Sequence, residues 1–87
     1  MSQRNYREDL YTAFRRQVRA RDNRTCQWTD CGVRKHIQVH HILPWKTHPW
    51  LRYDVDNGIC LCKKHHKIVM GHELAYASFL SSLICLK

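Results

Sequence analysis

The chain has 87 residues, 44% of them hydrophobic, and Lys+Arg 15 against Asp+Glu 7 give it a net charge of +8. That length predicts a single small domain over 1–87 whose core alone is marginal, and the charge points to a polyanionic partner, nucleic acid before membrane. With three Gly and two Pro the chain is neither fibrous nor disordered, and it holds no apolar run fit to span a membrane.

Met1–Leu10 has no apolar stretch and is not expected to be a secretory leader. Residues 6–22 carry Leu10, Phe14 and Val18 at i, i+4 and i+8, the spacing of a helix with one apolar face. Glu8 and Asp9 open this helix and Arg15, Arg16, Arg19, Arg21 and Arg24 crowd its end, an order that suits the helix dipole. Arg15, Arg16 and Arg19 are candidate phosphate contacts. Residues 23–36 read as irregular, and residues 37–43 as a strand stopped by Pro44. In the long loop 44–58, Trp45, Trp50 and Tyr53 are expected to fill core, and Asp56, Asn57 and Gly58 to turn the chain. Lys46 and Arg52 of the same loop are candidates for phosphate.

Residues 59–62 form a short second strand, and a helix then opens at Lys63 and is ended or interrupted by Gly71. Lys63, Lys64 and Lys67 would draw a nucleic-acid backbone toward it. Residues 72–84 place Leu74, Ala77, Leu80 (or Phe79) and Leu83 or Ile84 on one face of a last helix, and Cys85 is expected to be a small buried hydrophobe. The class is therefore α+β, a two-stranded hairpin between flanking helices. An isolated hairpin is barely stable in water, so something must pin it.

The cysteines supply that pin. Five is an odd count, which argues against a disulfide framework and for the reducing cytoplasm, where paired cysteines more often hold metal. Cys26-x4-Cys31 and Cys60-x-Cys62 look like two halves of a clamp. The favoured tetrahedral zinc set is Cys26, Cys31, Cys62 and His65, because residues 62 and 65 share a face where strand meets helix. A rival set takes Cys60 in place of His65, since alternate residues of a strand also share a face. Structural zinc contributes about 10–16 kcal/mol, against a net stability of only about 5–15 kcal/mol. The metal-free chain is expected to be largely unfolded.

His40, His41 and His66 remain. His66 points about 100° away from His65 round the helix, while His40 and His41 lie on the first strand with Asn57 at the start of the return strand. Such a set suits hydrolysis of a phosphodiester. A neutral imidazole can take a proton from water near neutral pH, and others can hold a divalent ion that offsets charge on the phosphate. An asparagine can orient the base or complete the metal shell. Adjacent strand residues face opposite sides, so both histidines reach one phosphate only where the strand bends or ends.

The stretch from RARDNRTCQWTDCG through VHHILPW and DNGICLCKKHHK to GHE, about residues 19–73, resembles the HNH (ββα-metal) nucleases, in particular small phage and homing-type endonucleases. The resemblance implies cleavage of double-stranded DNA with Mg²⁺ or another divalent ion such as Mn²⁺. It makes His41 the general base, His40 and His66 ligands of the catalytic ion, and Asn57 the orienting or, in some members, metal-binding asparagine. Cys26, Cys31, Cys62 and His65 become the structural zinc site. Some members carry a further histidine ligand four residues past the one matching His66. Here that position is Met70, whose thioether has little affinity for Mg²⁺. A homodimer, or a partner in phage or host DNA processing, would fit so short a chain. Two other readings share the composition: a zinc-stabilised nucleic-acid-binding module without catalysis, and a zinc-stabilised interaction domain with incidental charge.

Overall fold

A computed structural model of the chain describes residues 6–85, with side chains from Asp9 onward. Residues 1–5 of the stretch read for a leader, Glu8's side chain and residues 86–87 lie outside that description. The centre is an antiparallel pair, β1 (Gln38–His41) and β2 (Gly58–Leu61), with α1 (Tyr6–Arg21) before it and α2 (Lys63–Val69) and α3 (Glu73–Ile84) after it. This is a small α+β fold with a cysteine/histidine cluster, consistent with a zinc-stabilised HNH architecture. No helix among the described residues is long and apolar enough to cross a membrane.

The register sorts side chains between the two faces of the hairpin. Val39 pairs with Cys60, and both pack with Phe14 and Val18 of α1. His40 pairs with Ile59, which belongs to a second cluster with Leu61, Ile42, Val69 and Leu80. Tyr76, Phe79 and Leu83 of α3 cover that cluster, and Trp28 closes it from the irregular segment. Two small cores thus share one thin sheet.

Gly58 serves packing rather than a turn. Its backbone is extended, and the turn before it is a 3-10 turn, Val55–Asn57, capped by the Asp54 carboxylate, which accepts the Asp56 N–H. A Cβ at position 58 would lie 2.7 Å from both Phe14 Cζ and Val18 Cγ2, so only glycine lets α1 lie this close to β2. The end of α1 is also tied down. Arg21 donates to both carboxylate oxygens of Asp22 at 2.8 Å and to the carbonyls of Val55 and Gly58. Asp22 in turn accepts the Cys60 N–H at 3.0 Å. This arginine of the basic run is structural.

Both strands are shorter than or shifted from their expected spans, and four burial expectations fail. Trp50 is 71% exposed, Leu74 is 67% exposed, Trp45 stands half out of the surface, and Cys85 is exposed at the end of α3. A two-stranded sheet offers too little area to bury every apolar residue that flanks it. Tyr53 does pack against the α1 core, as expected.

Candidate functional site

Cys26, Cys31, Cys62 and His65 come together, their ligand atoms all within 4.8 Å of one another. Cys26 Sγ lies 3.5 Å and Cys62 Sγ 3.3 Å from His65 Nδ1, and the sulfurs of Cys31 and Cys62 are 3.9 Å apart. Tetrahedral zinc with its usual bond lengths sets such atoms about 3.5–3.8 Å apart, so the donor set fits a metal such as zinc. Burial pushes the Cys26 thiol up to about 11, so a thiolate there needs a cation beside it. Cys62 goes the other way. Burial raises its pKa, but it caps α2, and backbone N–H groups of His65 and Lys64 together with the neighbouring thiols bring the net shift below the usual value. Burial, with Lys64 near, lowers the pKa of His65 and keeps its ring neutral. Trp28 stacks on that ring at 4.5 Å and 6°. Cys60, the rival ligand, lies apart on the α1 face with its thiol toward the Val18 carbonyl. Burial and the nearby Asp22 carboxylate push it up to about 12.

The second constellation lies along β1. His40, His41 and His66 line one cleft of about 240 Å³ with Trp45, Pro44 and Glu73. The two strand histidines do take opposite faces, as a regular strand requires. β1 ends at His41, and the cleft reaches both. His40 sits edge-on to His66, ring centroids 5.4 Å apart. It is 6% exposed and its Nε2 has no hydrogen-bond partner. Burial, with His66 next to it, lowers its pKa to about 4, so the ring is neutral at pH 7 with its lone pair available. A buried polar atom left unpaired is costly, and a cation bound there would satisfy it.

His41 is held on all sides. It stacks on Phe14 at 4.8 Å and 10°, and meets Trp45 edge-on at 5.3 Å. Its Nε2 is 2.9 Å from the Arg52 carbonyl oxygen. A carbonyl only accepts, so Nε2 carries the proton and Nδ1 keeps the lone pair. Arg52 itself folds over Trp45, with its Cζ 4.6 Å from the ring centroid and its Nε donating to the Trp45 carbonyl.

Asn57 does not reach into the cleft. Its Oδ1 accepts the Leu43 N–H at 2.9 Å, and its Nδ2 donates to the carbonyls of Leu43 and Leu51. Both ends of the amide are thus committed to backbone. The side chain closes the loop that brings the Arg52 carbonyl to His41.

The family model described as HNH endonuclease matches residues 26–68, from the first cluster cysteine into α2. Residues 26–68 belong to the HNH endonuclease family. No curated protein and no solved structure matches the chain.

The HNH segment contains both constellations, and the basic residues are divided around them. Arg15 lies over Tyr11, with its Cζ 5.5 Å from the ring centroid, and Arg19 is half-buried on the same helix. Arg16, Lys46 and Lys67 are exposed. Lys63 and Lys64 line a separate, larger cleft of about 540 Å³ beside the cysteine cluster. Sequence reading missed Trp28, Phe14 as the platform of His41, and Glu73. The GHE tripeptide at the end of the resemblance contained the last of these, but no spacing rule tied it to the histidines.

Proposed function

We propose that this HNH chain hydrolyses DNA phosphodiester bonds with His41 as general base. The observation that carries the reading is the Arg52 carbonyl at His41 Nε2, which fixes the tautomer and leaves Nδ1 as the basic atom. Nδ1 takes a proton from water as the water oxygen bonds to phosphorus. The bond to the leaving oxygen breaks, and that oxygen takes a proton from solvent. Phe14 and Trp45 hold the ring at one angle throughout. Asn57 acts as a positioning residue through the loop it closes.

His40 and His66 would hold the catalytic divalent ion, Mg²⁺ or Mn²⁺, which when bound offsets charge on the phosphate and leaving oxygen. Cys26, Cys31, Cys62 and His65 would hold structural zinc. Arg15, Arg16, Arg19, Lys46, Arg52, Lys63, Lys64 and Lys67 would meet backbone phosphates. One active centre cuts one strand at a time, so breaking both strands takes a second copy or a second visit.

The test is nicking of supercoiled plasmid across a divalent-ion series, wild type beside His41→Ala. The substitution should lower the rate by about 10²–10⁴-fold while DNA binding persists. Equal nicking by the two proteins would reject the assignment, and binding without ion-dependent nicking by either would favour a module that only binds.

A further inference from the structure

Small divalent cations are hard acids. Mg²⁺ takes oxygen ligands and is usually held through one or two carboxylates. His40 and His66 offer only nitrogen, and Met70, one helical turn beyond His66, is 55% exposed and offers only sulfur. Among the described residues that line the histidine cleft, the one carboxylate is Glu73.

The chain brings it there by breaking a helix. In a continuous helix residue 73 would stand about 10 Å along the axis from His66. Instead α2 stops at Val69, Gly71 takes the left-handed φ of 84°, and α3 begins at Glu73. Glu73 Oε2 accepts the Gly71 N–H at 3.1 Å, which holds the carboxylate at the turn. The same cleft is lined by the buried His40, whose Nε2 is without a partner. A buried nitrogen lacking a partner, a second imidazole and a carboxylate therefore share one small space, in a chain whose net charge is +8.

We propose, resting on the reading of His40 and His66 as ion ligands given above, that Glu73 supplies the anionic ligand of the same divalent-ion site. The negative charge also gives a cation a reason to enter a basic protein at this point.

The experiment is Mn²⁺ binding to zinc-loaded protein, with free Mn²⁺ read by electron paramagnetic resonance. Glu73→Gln removes the charge but keeps an oxygen for the Gly71 N–H, so its unfolding temperature without Mn²⁺ should match wild type. Its Mn²⁺ affinity should fall by about 10–100-fold, the range seen when a group supporting a metal site is lost. His40→Ala is the control for the site itself. If His40→Ala loses affinity and Glu73→Gln keeps it, Glu73 is not a ligand and the histidine reading survives. If neither variant differs from wild type, both fall. Should Glu73→Gln fail to fold, the wild type decides. Bound Mn²⁺ should broaden the side-chain NMR signals of Glu73 together with those of His40 and His66, and sharp Glu73 signals would overturn the proposal.

Discussion

The cysteine cluster and the histidine cleft sit in the same small fold, and they are built on opposite plans. In the cluster, four donors converge within 4.8 Å, three of them sulfur, enough to fill a tetrahedral metal shell. Closed, ligand-saturated sites of this kind hold folds together. In the cleft, the nitrogen donors line an open space of about 240 Å³ with a carboxylate at its side, and the ring next to them is aimed by a carbonyl rather than committed as a ligand. Openness is what catalysis needs and what stability does not. On the proposed reading, a thin hairpin can serve a reactive centre on β1 because a metal held by the four donors would anchor the other end of the same strands.

The strongest way to break that comparison is to remove the anchor. Exhaustive chelation, or Cys26→Ser, should unfold most of the chain, since about 10 kcal/mol of metal-linked folding energy exceeds what two small cores supply. Far-UV circular dichroism that stays native after chelation would contradict it. A smaller change would sharpen the comparison from the other side. Gly58→Ala puts a methyl group where Phe14 and Val18 already lie, and overpacking of this kind costs about 1–3 kcal/mol. Because Phe14 is also the platform of His41, nicking should fall while the zinc content stays whole. Denaturant titration and metal analysis of the same preparation would show whether the two effects separate.

Short-range spacing explains what could be read from the sequence. Cys26-x4-Cys31 and the i, i+3 pair of Cys62 and His65 need only local geometry to converge, and the structure brings together the expected four. The three helices fall within one residue of their expected ends. Tertiary geometry explains what could not. The place of Glu73 depends on the direction the chain takes after Gly71. The work of Asn57 depends on backbone groups at positions 43 and 51, which carry no sequence signal. The buried Asp22 joins Arg21 to the Cys60 N–H, a link no periodicity predicts. Trp50 and Leu74 look apolar in any window, yet they stay mostly exposed.

The account turns on which nitrogen of His41 carries the proton. Nitrogen-15 NMR of zinc-loaded protein at neutral pH reads this directly. Protonated Nε2, with Nδ1 as the lone-pair nitrogen, is the result expected from the Arg52 carbonyl. A ring protonated at Nδ1 instead would contradict it, for the basic atom would then be Nε2, which faces the Arg52 carbonyl.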